Sequence, residues 1–195
     1  NLFKYSTFKA SRLEKLSLSG NRLTVIPPAI RHLIKLRRLL LNDNQLSELP
    51  KELAQLRRLQ QLEAASNKIS SIPQQLRQLH ALRRLNLSHN HIRTFPILLC
   101  ELRQLERLEL NFNRLAALPE QIGQLTNLDF LALERNNLKE LPESMSKLHA
   151  LRQLLLNRNK LTQIPPWIWE FPWLAVLEAS RNKVSTLSSQ IKHAH

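Results

Sequence analysis

The sequence predicts an α/β solenoid, a horseshoe in which short strands form one parallel β-sheet on the concave face and short helical or 3-10 turns line the convex face. Two observations predict it. Leucine recurs at a fixed step, at positions 13, 36, 59, 82, 105, 128, 151 and 174. Asparagine recurs at the same step, at positions 21, 44, 67, 90, 113, 136, 159 and 182. A fixed repeat of 23 residues indicates stacked coils that each contact only their neighbours.

The first part of each repeat, LxxLxL, predicts a short strand. In repeat five the strand leucines are Leu108 and Leu110, two residues apart. Side chains alternate between the faces of a strand, so these two leucines point to one face and the residue between them points to the other. One coil cannot bury its leucines alone, but stacked coils share a continuous core. We therefore expect one strand per repeat and a parallel sheet.

The asparagine that follows each strand is expected to be structural. The chain must turn inward there, which leaves backbone groups without partners in the sheet. A buried asparagine side chain both donates and accepts hydrogen bonds, so it can satisfy these groups. The repetition of Asn at all eight positions predicts an asparagine ladder.

The second part of each repeat, LPxxIxxL, predicts the convex turn. In repeat five, Pro119 fixes the backbone, and the spacing of three between Ile122 and Leu125 suits a short helical or 3-10 turn. Repeat eight has Ser188 in place of the proline and ends in Ala194, so it is a degenerate terminal unit. Residues 1–12 do not fit the pattern and are expected to cap the first coil. Residues 13–195 form the domain of eight 23-residue repeats.

The whole pattern, LxxLxLxxNxLxxLPxxIxxLxx, resembles the leucine-rich-repeat family over residues 13–195. Its LPxxI variant is similar to the subclass found in intracellular Ras-pathway scaffolds and in bacterial, effector-type repeat proteins. The resemblance implies a leucine-rich-repeat solenoid that acts as a protein–protein interaction module and binds its partner on the concave face.

Composition and spacing predict no catalytic, metal or cofactor site and no small-molecule substrate, so the chain is not expected to be an enzyme. Two glycines cannot form a glycine-rich phosphate loop. His89 and His91 lack a third ligand for a metal. Cys100 is the single cysteine and is expected to be partly buried filler. The absence of any disulfide favours the cytoplasm, or a host cytoplasm for a secreted effector.

The candidate binding surface divides into two zones. Residues 1–104 hold 18 Lys or Arg and 6 Asp or Glu, a net +12, whereas residues 105–195 hold 11 and 9, a net +2. The basic zone contains Arg38, Arg84 and Arg107. The second zone collects apolar side chains that the fold does not require, and we expect them to form one patch: Phe112, Phe130, Ala132, Leu155 and Val176. The partner is therefore expected to present an acidic and an apolar surface.

Two alternative functions remain open. The chain could be the substrate-recognition arm of a larger bacterial effector or ubiquitin ligase. It could also bind an anionic membrane or nucleic acid through its net charge of +14, although no nucleic-acid fold is present and the basic residues are scattered. At the C-terminal end, Trp167, Trp169 and Trp173 either wrap the convex layer or form a docking patch for a further domain or a second copy.

Overall fold

The computed structural model describes residues 12–187. Eight three-residue strands form one open sheet in sequence order, and every neighbouring pair is parallel. Each strand residue pairs with the residue one repeat later, as Lys15 does with Arg38. The strands are β1 Lys15–Ser17, β2 Arg38–Leu40, β3 Gln61–Glu63, β4 Arg84–Asn86, β5 Arg107–Glu109, β6 Phe130–Ala132, β7 Gln153–Leu155 and β8 Val176–Glu178. The predicted α/β leucine-rich-repeat solenoid is confirmed.

The convex turns are all five-residue 3-10 helices, and a proline precedes each one. The proline has an extended backbone, as at Pro119 (φ −79°), and the turn closes when the backbone N–H of Leu125 donates to the carbonyl of Ile122. The 3-10 helices span Pro28–His32, Lys51–Gln55, Gln74–Gln78, Ile97–Glu101, Glu120–Gln124, Glu143–Lys147 and Pro166–Glu170. The leucine, isoleucine and methionine side chains of these turns close the core from the convex side.

The asparagine ladder forms as predicted from Asn44 to Asn182, and each of these amides joins two coils. Asn21, in the first coil, is exposed and bonds only within its own coil. The Asn113 Oδ1 accepts from the Ile92 N–H at 3.0 Å, and its Nδ2 donates to the Leu87 carbonyl at 2.9 Å and the Leu110 carbonyl at 3.1 Å. The same bonds recur one repeat apart along the chain. Asn113 is only 7% exposed, so its amide replaces water for the buried backbone groups.

The last described coil is more open than the middle coils. Leu174, Leu177 and Val184 are only partly buried, whereas the equivalent residues of the middle repeats are buried. Leu187 is 59% exposed. The expected N-terminal cap (apart from Arg12), Ser188 and Ala194 lie outside the described residues.

Candidate functional site on the concave face

The parallel register aligns the outward-facing side chains of the strands in two rows. The middle leucine of each strand points into the core, and the residues on either side of it point to the concave face. The first row contains Lys15, Arg38, Gln61, Arg84, Arg107, Phe130, Gln153 and Val176. The second row contains Ser17, Leu40, Glu63, Asn86, Glu109, Ala132, Leu155 and Glu178.

The three predicted arginines all lie in the first row, but in two different states. Arg38 and Arg84 are exposed and have no ion-pair partner among residues 12–187. Arg107 is half-buried: its Nε donates to Glu109 Oε1 at 2.6 Å. Its guanidinium also lies 3.4 Å from the centre of the Phe130 ring on the next strand. Arg38 and Arg84 therefore remain available to a partner, whereas Arg107 already has two contacts within the chain.

The predicted apolar patch is smaller than the sequence suggests. Phe130 is 8% exposed and Ala132 is fully buried, so the expectation that they belong to an open patch is wrong. The cause is local, because the Arg107 side chain covers the Phe130 ring. Leu155 and Val176 are partly exposed, and Phe112 is 38% exposed. Phe112 and Leu155 are thus the apolar side chains of this set best placed for contact.

A third row, which we call the exit column, lies just after the strands and directly before the ladder asparagines. Its residues all have a left-handed backbone, with φ between 50° and 70°. They are Gly20, Asp43, Ser66, His89, Phe112, Arg135, Arg158 and Arg181. Residues other than glycine seldom adopt this conformation, and it costs on the order of 1 kcal/mol or more each. The Asn side chains hold the turn in place at every coil.

The middle of the exit column is a stack of three side chains. The His89 and Phe112 rings lie 3.8 Å apart with an interplanar angle of 18°. On the coil that follows Phe112, the Arg135 guanidinium lies 4.7 Å from the centre of the Phe112 ring. These contacts orient a half-exposed aromatic ring between two polar groups, an arrangement that suits recognition of a peptide or protein.

The left-handed backbone of the exit column and its stacking were not predicted from the sequence. The signal was present: a glycine stands at this position in repeat one, which indicates a left-handed turn. The later repeats replace that glycine with large side chains, so the column presents them on a fixed backbone.

The end of the exit column is basic, which qualifies the assignment of positive charge to the first half. Arg135, Arg158 and Arg181 follow one another on consecutive coils and are all exposed. Desolvation, and then the positive charges of Arg135 and Arg181, lower the pKa of Arg158. The net charge of residues 105–195 does not reveal this cluster, because acidic residues elsewhere in that half offset the three arginines.

The three tryptophans near the C-terminal end differ in exposure. The Trp167 ring packs edge-on against Phe171, with ring centres 5.7 Å apart, and Trp167 and Trp169 are both partly buried. The Trp169 Nε1 is buried and has no hydrogen-bond partner within the described part of the chain. Trp173, by contrast, is 63% exposed. Two rings therefore wrap the convex layer, and one faces outward.

Two further features singled out in the sequence are the single cysteine and the candidate metal ligands. Cys100 is 1% exposed, more deeply buried than expected. Burial, with a smaller contribution from the charge of Glu101, raises the pKa of its thiol to about 12. Between residues 12 and 187, no group of three or more His, Cys, Asp and Glu side chains is arranged to hold a metal ion. No helix in that range has the length and apolar character needed to cross a membrane.

An open parallel sheet, closed by 3-10 turns and tied together by an asparagine ladder, defines a repeat solenoid. The chain belongs to the leucine rich repeat family, which matches residues 11–69, 34–92, 65–115 and 103–161. Domains of this family are generally protein-interaction modules. A search of curated proteins gives no match.

Solved structures show the same fold. The chain is 35% identical to a leucine-rich-repeat protein of Leptospira interrogans, with a TM-score of 0.90, over 92% of this chain and 46% of that one. It is 25% identical to internalin C2 of Listeria monocytogenes, with a TM-score of 0.85, over 93% and 77%. It is 33% identical to the Arabidopsis receptor kinase HAESA ectodomain, solved with a peptide hormone ligand, with a TM-score of 0.80, over 87% and 30%. The chain thus spans less than half of the Leptospira and HAESA chains.

Proposed function

We propose that this chain binds a partner protein through its concave face and the adjoining exit column. The observation that carries the proposal is the His89, Phe112 and Arg135 stack, which holds an exposed aromatic ring in a fixed position. Arginine and aromatic side chains dominate the energetics of protein interfaces, and rigid ones lose little entropy on binding. The peptide bound by the similar HAESA ectodomain supports the same kind of function here.

The partner is proposed to present an apolar group beside an acidic surface. Phe112 and the partly exposed Leu155 supply the apolar contact, with Val176 at its margin. Arg38 and Arg84 stand exposed and unpaired among the described residues, so they attract acidic groups and steer association. Phe130 and Ala132 support this surface from beneath, and the Arg107 guanidinium lies over the Phe130 ring.

A second candidate is a recognition arm within a larger protein, such as a bacterial effector or ubiquitin ligase. The Leptospira protein, to which this chain is 35% identical, favours this candidate, because the match covers only 46% of that protein's chain. The full-length gene would distinguish an arm from a free module. We place either form in the cytoplasm of the producing cell or of a host, because the only cysteine is a buried free thiol.

A purely charge-driven binder of membranes or nucleic acid is the third candidate, on the strength of the net charge of +14. Binding of this kind weakens steeply as salt rises because it depends on released counterions. A partner complex whose affinity hardly changes between about 50 and 200 mM salt, a range over which phosphate-driven binding weakens by orders of magnitude, would exclude it.

The test is affinity capture with matched variants, followed by binding measurements on the purified partner. Phe112→Ala with Leu155→Ala removes the exposed apolar pair of the concave side. Ile34→Ala with Ile97→Ala is the control, because both isoleucines are 55% exposed and lie outside the two rows and the exit column. The partner should bind the wild type and the control equally and lose about tenfold or more in affinity for the concave variant. Equal affinity for all three proteins would refute the proposal.

A further inference from the structure

The basic end of the exit column has chemistry that protein binding in general does not explain. Arg135, Arg158 and Arg181 occupy equivalent positions on consecutive coils. Coils in a parallel sheet are about 4.8 Å apart, so the three arginines stand one coil apart in a row, which we call the arginine ladder. All three side chains are exposed. Like charges at this spacing repel, and nothing in the solenoid fold requires arginine at these positions.

Two carboxylates on the same coils do not pair with the ladder. Glu134 and Glu178 both accept hydrogen bonds from the Asn157 Nδ2. Neither forms an ion pair with a ladder arginine in the described range. The Asn157 Oδ1 accepts from the Ser180 N–H at 2.8 Å, which fixes the amide between the two coils. The Asn157 amide thus engages both carboxylates. The ladder guanidinium groups form no ion pair between residues 12 and 187, and that of Arg135 lies over the Phe112 ring.

Two lysines add to the positive charge along the same edge. Lys160 and Lys183 are exposed and follow Arg158 and Arg181 by two residues, on the other side of the ladder asparagines. The edge therefore carries five cations against two carboxylates that the Asn157 amide already engages. A ligand for this edge needs concentrated negative charge with several acceptor oxygens.

We propose that the ladder of Arg135, Arg158 and Arg181 binds a phosphoserine or phosphothreonine in an extended segment of the partner protein. A phosphate carries nearly two negative charges and three acceptor oxygens, so one group can bridge two neighbouring guanidinium groups. A carboxylate carries one charge and satisfies a single guanidinium fork. Beside the ladder, Phe112 and Leu155 are exposed enough to contact apolar residues of the same segment.

This inference rests on the proposed function, because it assigns the chemistry of the partner that the concave side binds. It adds a condition that the proposed function lacks: recognition depends on a modification of the partner. The module would then bind only after a kinase reaction has supplied the phosphate, and a phosphatase would release it.

The test uses three degenerate peptide libraries with a fixed central residue, either phosphoserine, glutamate or serine, and fluorescence anisotropy with the purified chain. The phosphoserine library should bind about tenfold or more tightly than the other two, as expected when a hydrogen-bonded charge pair is gained. Arg158→Gln should remove that preference. Arg77→Gln is the control, because it removes the same charge from an exposed position on the convex 3-10 helix Gln74–Gln78.

Several outcomes would overturn the phosphate assignment. Equal binding of the glutamate and phosphoserine libraries would show that an acidic segment suffices. Equal loss in Arg158→Gln and Arg77→Gln would show that only net charge matters. Binding to phosphatidylserine vesicles that depends on Arg158 as strongly as peptide binding does would indicate a membrane instead.

Phosphatase treatment of the lysate separates this inference from the proposed function. If both hold, treatment should abolish capture of the partner, and so should the variant that lacks Phe112 and Leu155. Capture that survives phosphatase but is lost in that variant overturns the phosphate and leaves the concave-face proposal standing. Capture that survives both overturns both.

Discussion

The substitution Asn113→Ala tests the physical basis of the ladder, and its cost can be worked out bond by bond. The side chain makes hydrogen bonds to Ile92, Leu87 and Leu110, and a longer one of 3.3 Å to the Asn111 carbonyl. These bonds do not contribute equally, because some of the backbone partners keep another hydrogen bond when the side chain is removed and others do not.

All three carbonyls keep another donor, and that of the Asn111 carbonyl is the His89 N–H at 2.8 Å. The Leu87 carbonyl also accepts from Asn90 Nδ2 at 3.0 Å, and the Leu110 carbonyl accepts from Asn136 Nδ2 at 2.9 Å. The Ile92 N–H has no second acceptor among the described residues and lies in a fully buried residue. One unsatisfied buried donor costs about 1–3 kcal/mol, so we expect a loss in that range rather than the sum of four bonds.

Thermal and urea denaturation followed by circular dichroism measure this loss. A chain of this size should lose about 2–4 °C in Tm per kcal/mol. Asn21→Ala is the matched control, because Asn21 is exposed and donates to the carbonyls of Leu18 and Ser19. It should shift stability by less than about 0.5 kcal/mol. Equal shifts for the two variants, or no shift for Asn113→Ala, would refute the reasoning.

Three further predictions concern single side chains. Phe130→Ala should cost about 3 kcal/mol or more because the ring is buried, whereas Phe112→Ala should cost less than about 1 kcal/mol; equal unfolding midpoints would contradict the difference in burial. Arg38→Glu with Arg84→Glu should slow association with an acidic partner more than it speeds dissociation, and an unchanged association rate in stopped-flow at low salt would count against steering. Burial raises the pKa of Cys100 from 9.0 to about 12. The native state therefore holds this proton more tightly than the unfolded state does, so this contribution to stability is complete below pH 9.0 and falls as the pH rises toward 12. The thiol should also resist iodoacetamide until the protein unfolds; rapid labelling of the native protein would disprove its burial.

The fold could be predicted almost completely from the sequence because one spacing determines it. The strand leucines, the ladder asparagines and the convex prolines repeat at the same step, so a single coil specifies the register of all the others. The same periodicity shows which residues face the concave surface. The position of each residue in the solenoid can therefore be predicted without knowledge of its side-chain contacts.

The exposure of individual site residues could not be predicted in the same way. Phe130 is buried because Arg107 of the neighbouring strand lies over its ring, a side-chain contact that no spacing specifies. The left-handed backbone of the exit column follows from a turn held by asparagine, and only Gly20 hints at it in the sequence. The net charge of each half of the chain does not reveal the arginine ladder, because its members lie one repeat apart and acidic residues separate them in the sequence.

The central claim is that a protein partner binds the concave side, and hydroxyl-radical footprinting of the complex tests it most directly. The method reports the solvent exposure of individual apolar and aromatic side chains, so one experiment compares all faces of the solenoid. Partner binding should protect Phe112 and Leu155 and leave the oxidation of Ile34 and Ile97 unchanged. Protection of Trp173 or Ile97, with Phe112 and Leu155 as reactive as in the free protein, would contradict the claim and place the interface on the convex or tryptophan-rich side.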